Sequence, residues 1–199
     1  MTLVEETGAS ARAAASLPEA IAVVLEAVAV AADWPAAHAW LAAAEPNTWV
    51  SSGLWFPDDA IGLGALKRSC VGAPPTPARG HLALALHMEA TQWVADLSGM
   101  LGTSRYDAAM AAGMRSAVAC PVYANGRAVA ILEWYLTSSE RPAPDVAHAL
   151  GHLSGVLSEV AERPVVVAAP PSPPSPRAPL GEAVRWVTEE GVLARLLLA

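Results

Sequence analysis

The sequence predicts an α/β fold in which antiparallel strands form one sheet and longer helices bracket it. Three observations carry this. Asn125-Gly126 sits between two apolar runs late in the chain, and Asn-Gly is the dipeptide a two-residue hairpin turn favours, because both central residues need φ > 0. Two further strand-like runs, 38–43 and 49–56, flank a Glu45-Pro46-Asn47 turn. Apolar residues at Leu17, Ile21, Val24, Val28 and Ala31, and again at Val146, Leu150, Leu153, Leu157 and Val160, recur at intervals of four and three. That spacing is the apolar stripe of an amphipathic helix.

In chain order, residues 1–15 are Ala-rich and read as a loose leader. Ser16-Leu17-Pro18-Glu19 is a capping box that opens the first striped helix. The helix ends near Asp33-Trp34-Pro35, and the two strands follow. A short helix at 63–71 precedes an APPTPARG loop, and a second at 82–89 has His81 and His87 near its ends. Residues 100–104 connect to a helix that starts at Arg105 and stops at Gly113. The Asn-Gly hairpin follows. With Ala124 opposite Arg127, an uninterrupted ladder puts Cys120 opposite Ile131, Val118 opposite Glu133, Ala119 opposite Leu132 and Ala117 opposite Trp134. Glu133 is then a carboxylate among Ile131, Val118 and Cys120, and a buried carboxylate needs a partner. The last striped helix spans 144–163.

After Arg163 the composition changes. Residues 164–181 form a Pro/Ser-rich linker that holds no core, and 182–199 read as a short helical tail weakened by Gly191.

Composition excludes several classes. Twelve basic against nineteen acidic residues give a net charge of −7 with no basic cluster, which argues against a nucleic-acid partner. The longest apolar stretch, 20–32, is interrupted by Glu26 and is too short to span a bilayer. The acidic start MTLVEETGAS lacks a signal-peptide pattern, so the expected compartment is the cytoplasm. Cys70 and Cys120 lie far apart in sequence and fit no zinc or redox spacing.

The order of parts resembles a bacterial GAF domain, a small-molecule sensory module of signalling proteins, over about residues 16–163. The resemblance rests on SGLWF at 52–56, on Trp93-Val94-Ala95-Asp96-Leu97, and on Arg105 with Ala108 and Ala109. It continues through Ala112-Gly113-Met114-Arg115-Ser116-Ala117, Cys120-Pro121-Val122, Ala130-Ile131-Leu132-Glu133-Trp134-Tyr135 and Pro144-Asp145. It implies a five- or six-stranded antiparallel sheet, with the terminal helices on one face and short helices over a ligand cavity on the other. It also implies a non-catalytic sensor that dimerises through its terminal helices and signals to a partner such as a kinase or cyclase. One departure is clear: many of these domains carry a Gly-rich run before the Trp segment, whereas Ala78-Arg79-Gly80-His81-Leu82 retains one glycine. The lid of the cavity should differ accordingly.

Candidate site residues follow from chemistry and resemblance together. Seven Trp against one Phe and three Tyr is an unusual balance, and Trp offers a broad apolar wall with one N–H donor. Trp40, Trp55 and Trp93 are the candidates to line the cavity. Asp96, Arg105, Arg115 and Glu133 are candidates to orient a polar ligand or to pair with one another. Arg105 suits an anionic ligand group because its planar fork grips oxygens in two places. Cys120 is the candidate nucleophile for the alternative function, reduction of methionine sulfoxide, which also occurs on this fold. That chemistry needs a resolving thiol within reach. A third reading is a ligand-free dimerisation or docking module whose cavity is filled by Trp side chains. The resemblance admits haem, with His38, His81 and His87 as candidate axial ligands. His148 and His152, four apart on the last helix, fit a solvated face better than a metal site.

Overall fold

Strand alternation sorts the side chains of this chain into two cores, one on each face of a single sheet. The computed structural model describes residues 3–58, 62–71, 76–100 and 104–164. In order these form α1 (Leu3–Ala13), α2 (Leu17–Ala32), β1 (Ala36–Ala42), β2 (Thr48–Phe56), α3 (Gly64–Cys70), β3 (Thr76–Pro77), α4 (His81–Met88) and β4 (Gln92–Val94). A 3-10 turn at Leu97–Gly99, α5 (Ser104–Ala111), β5 (Ser116–Ala124), β6 (Arg127–Leu136) and α6 (Pro144–Ala161) follow. The strands form one six-stranded sheet in the order β3-β2-β1-β6-β5-β4, and every pairing is antiparallel. The α/β class and the antiparallel sheet agree with the expectation.

On one face, Ile21, Val24 and Val28 of α2 and Leu150, Leu153 and Leu157 of α6 pack against Val118, Cys120, Leu132 and Trp134. The two predicted stripes are thus buried on the chain's own sheet. The capping box forms: Ser16 Oγ accepts from Glu19 N–H, and Glu19 reaches back to Ala15 N–H at 2.9 Å. On the other face, Leu66 and Cys70 of α3, Leu82 and Ala85 of α4, and Tyr106 and Ala109 of α5 pack over Trp40, Ala117, Ala119, Ile131 and Tyr135.

Two expectations are corrected. The leader is not loose: Leu3–Ala13 is an eleven-residue helix that packs on α2 and α6, burying Thr7, Gly8 and Ala11. Alanine is the best helix former, and small side chains let this helix approach its neighbours closely. The hairpin register also differs. Ala124 faces Arg127 and Tyr123 faces Ala128 as expected, but Val122 then faces Ala130, so Val129 is an extra residue in β6. Beyond this bulge Ala119 faces Glu133, Cys120 faces Leu132 and Val118 faces Trp134. A one-residue shift exchanges the faces, and Glu133 leaves the company of Val118 and Cys120 for that of Ala119 and Ala117.

The chain divides after Arg163, where the Pro/Ser-rich sequence begins. Apart from Pro164, the linker at 164–181 and the tail at 182–199 lie outside the described residues. Among the described residues no helix is long and apolar enough to cross a membrane.

Candidate functional site

Glu133 lies on β6, one of the two strands at the middle of the sheet, fully buried on the face opposite the terminal helices. β1 pairs alongside, with His38 directly opposite Glu133. His38 Nδ1 lies 3.1 Å from Glu133 Oε1, and Trp40 Nε1–H donates to the same oxygen at 2.9 Å. The other imidazole nitrogen of His38 meets Ser51 Oγ at 2.9 Å. A neutral His38 protonated on Nδ1 satisfies both contacts, donating to the carboxylate and accepting from the serine.

The short helices close the cluster from above. Arg105 on α5 brings Nη1 to 3.6 Å from Glu133 Oε2, and its guanidinium lies over the rings of Trp40 and Tyr106 at 5.1 and 4.8 Å. His81, the first residue of α4, brings Nε2 to 3.2 Å from the same oxygen without making a hydrogen bond to it. Tyr106 Oη ties these helices together, accepting from Arg105 Nη2 at 2.8 Å and meeting His81 Nδ1 at 2.9 Å. Gly80 makes this possible. At φ +60 its backbone passes against the Tyr106 hydroxyl, where a Cβ would collide. Gly80, the one glycine of the 78–82 segment, has this role.

The electrostatics are those of a buried ion pair flanked by neutral imidazoles. Burial alone would raise the Glu133 carboxyl, but the Arg105 charge and the interactions with His38 and His81 outweigh it and hold the group well below the usual carboxylate range. Burial lowers both His38 and His81, and the nearby carboxylate offsets this only in part. The Cys70 thiol, at the end of α3, is pushed up to about 12 by burial and by the Glu133 charge. Burial likewise raises Tyr135 well above the usual range.

Several buried polar atoms here have no hydrogen-bond partner: Glu133 Oε2, His81 Nε2, Arg105 Nε, Tyr135 Oη and Trp55 Nε1. Buried polar groups are normally satisfied, so this concentration sets the region apart. Beside it opens a cavity of about 330 Å³, lined by Trp40, Arg105, Arg79, Ser69, Trp49 and Leu82 among others. Trp40 and Arg105 are the wall between this cavity and Glu133.

The structure brings four of the predicted residues together: Trp40, Trp55, Arg105 and Glu133. Trp55 reaches the cluster by stacking on His38 at 4.2 Å. Asp96 and Arg115 line a different hollow of about 530 Å³, with Met110 and Met114. Trp93, on β4, pairs with Val118 of β5 and packs against the core under the terminal helices. Cys120 is on that same side, its Sγ 3.7 Å from Leu150 O. Neither approaches the cavity face. His148 and His152 are exposed on α6. The histidines do not fit a haem. His38 packs on Trp55 and Trp40 and His81 on Tyr106 and Tyr135, and their ring nitrogens face Glu133, Ser51 and Tyr106 within the buried cluster, while His87 is exposed.

Sequence reasoning missed His38, His81, Tyr106, Tyr135 and Cys70 as members of one cluster. One signal was available: His38 interrupts an otherwise apolar strand, and a polar residue there needs a partner on a neighbouring strand. No comparable signal marks Cys70, which reads as an ordinary apolar position of a short helix.

No protein-family model matches the chain, and no curated protein matches it in sequence. Solved structures do match in fold. The free methionine-R-sulfoxide reductase from Neisseria meningitidis superimposes with a TM-score of 0.61 at 15% identity, covering 80% of this chain and 86% of that one. A structure described as that of the GAF domain gives 0.61 at 14%, covering 81% and 86%. The GAF domain of a phosphoenolpyruvate-protein phosphotransferase from Coxiella burnetii gives 0.58 at 15%, covering 79% and 89%. The chain has the GAF-domain fold.

Proposed function

We propose that this domain is a non-catalytic sensor that binds a small anionic molecule in the cavity walled by Trp40 and Arg105. The observation that carries the reading is the Arg105 guanidinium at the wall of that cavity, its Nε without a hydrogen-bond partner and its neighbours a buried polar cluster in which Tyr135 Oη and Trp55 Nε1 also lack one. A ligand there acts on β6, whose reverse face holds Trp134 against α2 through the bond from Nε1–H to Leu25 O at 3.3 Å. Occupancy is thereby relayed to the terminal helices, to the extent that the ligand prefers one arrangement of them. The output is a signalling partner protein such as a kinase or cyclase, and the setting is the cytoplasm. Homodimerisation belongs to the same proposal. Because the apolar stripes of α2 and α6 face the chain's own sheet and α1 packs on both helices, a second copy would use the outer surface of this three-helix layer, and native mass reads dimerisation directly.

The test is thermal stabilisation of the full chain by a panel of small carboxylates, phosphates and oxyanions, repeated with Arg105→Gln. At least one anion should raise the melting temperature of the natural chain and lose its effect in the variant. A panel without effect, or equal stabilisation of both proteins, overturns the reading. The catalytic alternative draws support from the reductase that shares the fold, but Cys120 lies on the far side of the sheet. The thiol on the cavity face is Cys70. Alkylation at neutral pH separates the two functions. Both thiols should react slowly, whereas a fast-reacting thiol would favour the enzyme.

A further inference from the structure

Cys70 is the member of the cluster that the ligand-sensing reading leaves unexplained. Its thiol is fully buried and faces a carboxylate, an arrangement that stabilises neither group. His38, Cys70 and Glu133 each present one donor atom, a ring nitrogen, a sulfur and a carboxylate oxygen, and the three lie within 4.8 Å of one another. Donors around a tetrahedral metal ion stand roughly 3.3–3.8 Å apart, given metal–ligand bonds of about 2.0–2.3 Å. The His38–Glu133 pair is already at 3.1 Å, and the thiol lies within 4.8 Å of the donor atoms of both. His81 Nε2, without a hydrogen-bond partner, lies 3.2 Å from Glu133 Oε2 next to this group.

We infer that His38, Cys70 and Glu133 form a binding site for one divalent first-row transition-metal ion of the zinc class. The inference goes beyond the sensor reading and does not depend on it. A nitrogen, sulfur and oxygen donor set selects such ions over calcium or magnesium. Binding releases the thiol proton, leaving a Cys70 thiolate on the metal. The His38 proton moves from Nδ1, which takes the metal, to Nε2, where it is donated to Ser51 Oγ. That serine already stands 2.9 Å away and fixes the tautomer, as outer partners of metal-bound histidines do. Three protein donors leave a fourth position open. With Glu133 and Cys70 each carrying one negative charge, the ion two positive charges and Arg105 one, the site retains one positive charge. An anion in the fourth position neutralises it.

The test uses the full chain, stripped with a chelator and titrated with cobalt(II) as a spectroscopic stand-in for zinc. The expected result is one cobalt per chain, with the thiolate-to-cobalt charge-transfer band in the near ultraviolet and displacement by zinc. Cys70→Ser should abolish that band, while Cys120→Ser and a His148→Ala/His152→Ala double variant retain it. Circular dichroism checks that each variant folds. Should Cys70→Ser fail to fold, His38→Gln takes its place and should weaken cobalt binding more than about 100-fold, beyond the effect of losing an outer partner. Failure to bind cobalt, binding without a thiolate band, or binding lost only in the His148/His152 variant overturns the proposal. Anion-induced stabilisation of the chelated protein would leave the sensor reading standing if the metal site fails.

Discussion

Glu133 is the residue on which the site depends. Its carboxylate neutralises Arg105, which is 8% exposed and has no other acid within ion-pair distance among the described residues. Removing one member of a buried pair leaves an uncompensated charge, at a cost of about 3–5 kcal/mol. Glu133→Gln should therefore lower the unfolding free energy of the chelated protein by about 3 kcal/mol in urea titration. Adding Arg105→Met should recover part of that loss, and a double variant no more stable than the single one would show that the pair is not what matters. Gly80→Ala is a second test at this scale. Its φ of +60 and the approach to Tyr106 leave no room for a Cβ, so about 2 kcal/mol or more should be lost, read by the same titration. The need of Glu133 for a partner was legible in the sequence, since one carboxylate among apolar neighbours demands one. The identity of its partners was not. His38 lies 95 residues away, and only the pairing of β1 with β6 brings the two together.

At the scale of elements, sequence and structure agree where periodicity is strong and part where a single residue changes the register. The stripes of α2 and α6 and the Asn125-Gly126 turn follow local rules, and they fall where those rules put them. The bulge at Val129 does not follow from any local rule, because Val is an ordinary strand residue. Its consequence is nonetheless large, moving Glu133 to the cavity face and leaving Cys120 under α6. The first helix was missed for a different reason: an Ala-rich segment has no apolar stripe to read, yet its small side chains bury well. Deleting residues 1–13 tests whether α1 is part of the fold. Its removal exposes the surfaces of α2 and α6 that it covers, and about 2 kcal/mol should be lost. For a chain of this size that corresponds to a fall of roughly 4–8 °C in melting temperature. An unchanged melting temperature would return the segment to the status of a leader.

For the whole molecule, the buried cluster predicts how stability depends on pH. His38 and His81 are lowered from the ordinary value of 6.5 by burial, so between that value and their folded values the unfolded chain binds protons that the native state refuses. Stability conferred by the neutral imidazoles is therefore complete above pH 6.5 and declines as the pH falls. Two such groups give a slope of up to about 2.7 kcal/mol per pH unit. Glu133 acts in the same direction at lower pH. Its carboxyl is held well below the ordinary 4.5, so the unfolded carboxylate takes up a proton first and a further loss begins below that point. The expected curve, measured by urea unfolding with chelator present so that metal release contributes nothing, is flat from pH 8 to about 6.5 and falls continuously below it. Stability that stayed level down to pH 5 would mean that the two histidines are charged in the folded state. The carboxylate would then be shared among three cations, and the neutral His38 that bridges Glu133 to Ser51 would have to be abandoned.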